Sequence, residues 1–359
     1  MTTSSTDLIS QKDTVLISVN TGDTPRINRV VEVRLELDLN QIAGLRLHEC
    51  DAQQHVINQD VPFQLDRLEQ PSYTLSFLMD GRTEPQQTRT YQLCLDAEAV
   101  ATSHPQPLVS VHEVYHQGQD AFQIHTLAAT LIFHKYGGGF ASLVDANGDD
   151  WISYRPQGGS DGKYRGIPNI KHPDDYFHPG ATNARSELVH TGAVKCQLRT
   201  QTLDGVCDAV WDIYPHYMTM TLQKTPDVYW LLYEGTPGGK LNEQDDFVTW
   251  SDGTRKPLGE RWDKVLRSGW LYFSAAHSQR SLFFAQHNTE AKLSSYFPME
   301  GNMTVFGFGR KDLEHYLTNC PAQYSFGLVD SYDHADVTTH VNSACHELQV
   351  DVQVSTPST

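Results

Sequence analysis

The segment Lys163-Tyr164-Arg165-Gly166-Ile167-Pro168-Asn169-Ile170-Lys171-His172 places cations, an amide, a phenol and an imidazole within ten residues. A second stretch, Tyr176-Phe177-His178-Pro179-Gly180, adds another histidine beside a tight turn. Both belong to the glycine-rich, polar region from Tyr136 to His190, few of whose residues follow a core-facing period. Polar loops on a rigid scaffold are where binding and catalysis concentrate. One reaction needs this set of groups: β-elimination on a uronic acid. A cation or amide neutralises the carboxylate, a base takes the adjacent C–H proton, and an acid protonates the departing oxygen. On this reading His178 or Tyr164 is the base, Arg165 and Asn169 hold the carboxylate, and Lys171 and His172 supply further contacts. Taken singly, each residue has an ordinary structural role open to it. Tyr164 can cap a loop, and His172 before a proline can be a surface turn.

Two further stretches supply candidates. Between Trp211 and Leu222, strand alternation puts Asp212, Tyr214, His216 and Met218 on one face. Tyr214 and His216 are therefore expected at the ligand, or else as satisfied core polars. In Tyr229-Trp230-Leu231-Leu232-Tyr233-Glu234 the alternation sets Trp230, Leu232 and Glu234 opposite Tyr229, Leu231 and Tyr233. Glu234 ends that strand just before Gly235-Thr236-Pro237-Gly238-Gly239. It can bind sugar hydroxyls, act as an acid, or pair with Lys240. It also anchors a rival hydrolase reading, which needs a second carboxylate across the scissile bond. Asp174, Asp175, Asp245, Asp246 and Asp252 are the candidates. No Gly-x-Ser-x-Gly elbow supports a serine nucleophile. The run Phe306-Gly307-Phe308-Gly309-Arg310 lacks the continuation of a nucleotide loop and reads as a tightly packed strand. Its Arg310 either braces the sheet or reaches a cleft.

The elements that must position these residues are strands. Val31, Val33, Leu35 and Leu37 alternate with charged residues, and Tyr73 to Phe77, Tyr91 to Leu95 and Leu348 to Val354 repeat the pattern. Helical periodicity is nearly absent, with Lys311 to Leu317 the one place for a turn or two. The expected class is all-β: a small β-sandwich over residues 13–100, then a large antiparallel β-supersandwich over 108–354. A flexible tail is expected over 1–12 and a linker over Ala101–Pro107. Within the large domain, Phe140–Leu143, the acidic Asn-Gly turn 145–150 and Trp151–Tyr154 form a hairpin signal. The turn lacks the twelve-residue calcium-loop pattern, so calcium is possible there but not favoured.

Composition narrows the classes. A formal charge of −17 argues against nucleic acid, whose phosphates call for a basic footprint. An acidic ligand would then need a local cationic pocket, as the arginines and lysines of the 155–185 loop offer. The 16 Tyr, 14 Phe and 6 Trp suit carbohydrate platforms. The six cysteines show no CxxC spacing, so a metal site is not expected; buried thiols are the default, with Cys196 and Cys207 the pair if oxidised. No apolar run reaches membrane-spanning length, and the first residues lack the layout of a signal peptide. The sequence as written points to the cytoplasm, or to export if a leader has been removed.

The order of motifs resembles galactose-mutarotase-like β-supersandwich domains. Gly139-Phe-Ala-Ser142-Leu-Val-Asp145-Ala-Asn-Gly148 matches a G-x-x-S-L-x-D-x-x-G theme. "HTGAVKCQLRT", "WDIYPHYMTMTLQK" and "YWLLYEGTPGG" follow in the usual order, over roughly residues 125–310. That family includes sugar epimerases, polysaccharide lyase domains and non-catalytic domains of glycosidases, so the resemblance implies carbohydrate work without fixing the reaction. It also extends to bacterial polysaccharide-degradation proteins that join a small β domain to such a core. The His pair and late Glu base of the epimerases have no clear counterpart in the motifs. The expected function is a lyase acting on uronate-containing saccharides. A glycoside hydrolase and a non-catalytic carbohydrate-binding protein are the alternatives.

Overall fold

The computed structural model describes Ile9 and residues 14–37, 44–69, 71–96, 106–170 and 176–355. The chain divides into two compact units. One comprises 1–108, 192–195 and 346–359, and the other 109–191 and 196–345. The tail expected over 1–12 lies outside the described residues except for Ile9, which is buried and bridges Leu37. The expected linker lies outside them up to residue 105.

In the first unit a five-stranded sheet runs in the order Gln349–Ser355, Thr14–Asn20, Thr88–Asp96, Gly44–Cys50, Val56–Asn58. A three-stranded sheet consists of Arg26–Glu36, Ser72–Thr83 and Phe63–Arg67. Alternation does the sorting: Val15, Ile17 and Val19 point inward and meet Leu93, Tyr91, Leu75 and Phe77 in one core. The last strand differs from expectation. Residues 349–355 do not end the large domain but pair antiparallel with Thr14–Asn20, from Thr14↔Ser355 to Asn20↔Gln349. Leu348 and Val352 there pack on the first unit's core.

The second unit is an antiparallel sandwich of two nine-stranded sheets. One runs Trp262–Val265, Leu293–Met299, Met303–Phe308, Leu231–Gly235, Gly166–Asn169, Gly139–Asp145, Ala129–His134, Gln119–His125, Ser110–His116. The other runs Ala184–Thr191, Cys196–Thr202, Asp208–Ile213, Met218–Lys224, Ala322–Val329, Arg280–Gln286, Trp270–Ala275, Phe247–Trp250, Arg255–Pro257. Aromatic side chains join the sheets. Phe140 meets Trp211 edge-on at 4.9 Å, Tyr233 stacks on Phe284 at 4.9 Å, and Phe273 lies 5.6 Å from Phe306. Each is buried, and truncating such a ring to alanine costs about 3–5 kcal/mol.

Two local expectations are corrected. Lys311–Leu317 is no helical turn; Arg310–Lys311 and Glu314–His315 form a small hairpin. The α-helix among the described residues is His334–Cys345, whose buried stripe is Val337, Thr339, Val341, Ser343 and Ala344. Two of those five are hydroxyl residues, which hid the apolar period. They bond back to carbonyls one turn earlier, Thr339 Oγ1 to Ala335 O at 2.9 Å and Ser343 Oγ to Thr339 O at 2.9 Å. No helix among the described residues is long and apolar enough to cross a membrane.

The expected hairpin at 140–154 is only half formed. Gly139–Asp145 is a strand, but residues 151–154 form none. They return through the Val144↔Asp150 bridge and the bonds from Trp151 N to Leu143 O and Tyr154 N to Ala141 O, both 2.9 Å. The acidic turn is spent on backbone. Asp150 Oδ1 accepts from the N–H groups of Leu143, Ile152 and Ser153, each at 3.0 Å, and its Oδ2 accepts from Ser142 Oγ at 2.7 Å. Asp145 Oδ1 accepts from Asn147 N at 2.8 Å and Asp149 N at 3.1 Å, while Trp151 Nε1 donates to its Oδ2 at 3.1 Å. Little of either carboxylate is left for an ion. Asp150→Ala should therefore lower unfolding stability by about 2–4 kcal/mol, the cost of stranding several buried donors. Calcium and a chelator should leave the wild-type melting temperature unchanged in calorimetry. A calcium-dependent rise would overturn this account of the turn.

Candidate functional site

The strand Leu231–Gly235 positions the site. Tyr233, at 0% exposure, faces the sandwich core, and its hydroxyl donates to Trp151 O at 2.7 Å. Leu232 and Glu234 face the opposite side, together with Trp230 just before the strand, and line a cleft of about 730 Å³. Glu234 lies opposite Gly166 on one neighbouring strand and Val305 on the other. Gly166 is needed for a close approach. A Cβ there would sit 2.4 Å from Pro179 Cδ, so only glycine lets the His178–Pro179 loop settle onto the sheet beside Glu234. Gly137 does the same under the other side of the loop, where a Cβ would meet His178 O at 2.4 Å. Phe177 anchors the loop with a fully buried ring and a φ of 52°, a sparsely populated conformation for an aromatic residue.

These contacts assemble a polar chain. Trp230 Nε1 donates to Asn169 Oδ1 at 3.3 Å, and Asn169 Nδ2 donates to Glu234 Oε2 at 3.3 Å. His178 Nε2 lies 3.5 Å from the same carboxylate oxygen and 3.2 Å from Tyr164 O. Glu234 Oε1 accepts no hydrogen bond among the described residues. Burial works against a charge on His178, but Glu234 and the carbonyls of Tyr164 and Pro179 outweigh it and hold its pKa above the ordinary value of 6.5. His178 is thus suited to carry and donate a proton rather than to take one.

Arg310 completes the cleft. Its guanidinium carbon lies 5.2 Å from the Trp230 ring centroid and 4.8 Å from that of Phe297. Across the hairpin, His315 pairs with Arg310 and stacks on Trp230 at 4.0 Å. Gly307 makes room, since a Cβ there would meet Arg310 Cδ at 2.9 Å. Arg310 is 7% exposed, and its Nε and Nη1 have no hydrogen-bond partner among the described residues. Burial pulls its pKa below the ordinary arginine range, an effect the Glu234 charge opposes.

The remaining expected residues separate. Tyr164 stands at the cleft wall, 38% exposed, with Lys163 Nζ 5.2 Å from its ring centroid. Arg165 does not reach the cleft. It is 4% exposed and spends its guanidinium on Ser160 O at 3.0 Å, Ile152 O at 3.3 Å, Thr236 Oγ1 and Gly301 O at 2.6 Å. It ties loops together and is unavailable to a carboxylate. Tyr214 and His216 are not on a strand, because Pro215 ends one and the chain turns before Met218, with Tyr214 N bonded to Tyr217 O at 2.9 Å. They line a separate cavity of about 20 Å³ with Thr126 and Met218. Lys171, His172, Asp174 and Asp175 lie outside the described residues. Of the other hydrolase candidates, Asp246 accepts from Asn242 N at 2.7 Å and Ala276 N at 2.8 Å, a structural role. Glu234 is the one carboxylate among the described residues lining this cleft. No cluster of metal-ligating side chains is found among the described residues.

No known family profile matches the chain, and no curated protein matches it. Solved structures give distant likenesses. HI1317 is 11% identical with a TM-score of 0.44, the match covering 64% of this chain and 98% of that one. A glycosyl hydrolase family 38 protein from Enterococcus faecalis is 10% identical with a TM-score of 0.43 over 97% of this chain and 49% of its own, so the chain spans about half its length. Slr1438 from Synechocystis sp. PCC 6803 is 12% identical with a TM-score of 0.36, covering 65% of this chain and 99% of that one. Likenesses this distant carry no argument about activity.

The His178–Glu234 contact has a pH signature. A histidine held above its unfolded pKa stabilises the fold fully below about pH 6.5 and loses that contribution as pH rises through the folded value. His134 acts in the opposite sense. Burial, then the charges of His116 and His178, push its pKa down to about 3, so its contribution is lost as pH falls below 6.5. Comparing wild type with Glu234→Gln largely cancels the His134 effect. The melting-temperature gap between them should be widest near about pH 6 and shrink into the alkaline range. A gap that stays constant or widens toward high pH would contradict the ion pair.

Proposed function

We propose that the cleft binds an acidic sugar and that its side chains move protons on it, making the protein a carbohydrate-active enzyme. One observation carries the reading: a buried guanidinium whose Nε and Nη1 have no acceptor among the described residues, held against two aromatic rings, in the same cleft as a carboxylate beside a histidine. A buried cation is stabilised by an anionic partner, and a planar guanidinium matches a carboxylate in two-pronged geometry. Phe297 offers apolar surface for a sugar face, while the buried Trp230 backs Arg310.

The reaction this arrangement favours is β-elimination on a uronate. Arg310, in place of Arg165, neutralises the carboxylate. Glu234 Oε1 takes the proton from C5, the C4–C5 double bond forms as the C4–O bond breaks, and the departing oxygen takes a proton from Tyr164 or from water. His178 holds Glu234 in place and keeps a positive charge beside it. A second reading is favoured by the carboxylate–imidazole pair itself: proton transfer at the anomeric carbon, with Glu234 taking the O1 proton and His178 giving one to the ring oxygen. Hydrolysis lacks its second carboxylate among the described residues lining this cleft.

The test is a panel of uronate-containing glycans read in three channels: ultraviolet absorbance, reducing ends, and anomer exchange by NMR. Elimination raises the first two together, and anomeric transfer shows only in the third. Glu234→Gln should lower the active channel by about 10²–10⁴-fold. Arg310→Met should weaken binding of acidic sugars by about 10–100-fold, leave neutral sugars unaffected, and leave the fold equally or more stable because a lone buried charge is removed. Binding of uronates unchanged by Arg310→Met would sink the reading. Reducing ends without absorbance would replace it with hydrolysis.

A further inference from the structure

The space beside Arg310 does not end with the first cavity. A second cavity of about 600 Å³ continues across the same sheet face toward the edge strand Trp262–Val265 and shares Phe297, Arg310 and Leu313 with the first. Its floor follows one row of the ladder, Asp263 opposite Ser295 and Ser295 opposite Gly307. Ser295 is 5% exposed, and its hydroxyl has no hydrogen-bond partner among the described residues. Two guanidinium groups lie near the Phe297 ring, with Arg310 Cζ 4.8 Å and Arg261 Cζ 5.1 Å from its centroid.

The two cavities differ in charge. The first holds Lys163, Arg310 and a histidine whose pKa is raised, against the single carboxylate of Glu234. The second sets Arg261 and the shared Arg310 against Asp263 and Asp312. An anionic ring gains in the first. In the second it would face two carboxylates, which are better matched to the hydroxyls of a neutral ring. Each cavity falls within the size range of small-ligand sites.

Building on the acidic-sugar reading above, we infer that the occupant is a saccharide of at least two rings. Its uronate ring lies in the first cavity on Arg310, and a neutral ring crosses Phe297 into the second. Ser295 Oγ, Asp263 and Asp312 read the hydroxyls of that neutral ring, and Arg261 closes its outer side.

Calorimetric titration of the full-length protein tests this with glucuronic acid, glucuronosyl-hexose disaccharides of several linkages, and a diglucuronate. The best glucuronosyl-hexose should bind at least about tenfold tighter than glucuronic acid. In Arg261→Ala, an exposed position, the ratio of those two affinities should fall toward one. Equal affinity for glucuronic acid and every disaccharide would overturn the two-ring inference while leaving the acidic-sugar reading intact. A diglucuronate binding tighter than any glucuronosyl-hexose would overturn the charge assignment of the second cavity. Failure of every uronate to bind would sink the acidic-sugar reading, and this inference with it.

Discussion

A guanidinium that is 7% exposed, with its Nε and Nη1 unpartnered among the described residues, is an unfavourable arrangement for a fold to hold, and much around Arg310 is organised to tolerate it. The Arg310–His315 hairpin sets the cation and His315 against Trp230, and Phe297 stands near the guanidinium on its own strand. Cation–π contact returns part of the lost hydration, and the Glu234 charge in the same cleft returns more. On the proposed reading, a carboxylate-bearing ligand meets the guanidinium from the cleft.

The sandwich makes such a site affordable because the strand beneath it is fixed from both faces. Tyr229, Leu231 and Tyr233 lock one side into the aromatic core, so Trp230, Leu232 and Glu234 present a rigid row on the other. The neighbouring strand contributes Gly166 where the His178 loop must come down and Asn169 where Glu234 needs a donor. Positions a few residues apart thus serve packing and chemistry alternately, with the two-residue period of the strand doing the separation.

Much of this was legible in the sequence. Alternation revealed an all-β chain, and the two-residue geometry of a strand assigned the two faces of Tyr229–Glu234, although burial on both sides leaves no apolar alternation there. The Asn-Gly turn and the strand before it were legible, but residues 151–154 form no returning strand. The helix at 334–345 was hidden by Thr339 and Ser343, whose hydroxyls satisfy themselves on the backbone and so need no apolar signal. Alternation alone puts Tyr214 and His216 on a strand, but the strand ends at Ile213, just before the Tyr214-Pro215 turn. Arg165 does not reach the cleft, whereas Arg310, read as either bracing the sheet or reaching a cleft, lines it, for a physical reason: what a guanidinium does depends on the acceptors around it. Those of Arg165 come from Ile152, Ser160, Thr236 and Gly301, a convergence no local spacing encodes. The alternating glycines before Arg310 were visible, but that Gly307 clears space for its side chain depends on register across the sheet.

The most direct measurement is a crystal structure of the protein soaked with a uronic acid. The account predicts the sugar's carboxylate within hydrogen-bonding distance of the Arg310 guanidinium, with a ring hydroxyl or carbon-bound proton facing Glu234 Oε1. A carboxylate bound elsewhere, with Arg310 still lacking an acceptor at saturating ligand, would contradict it.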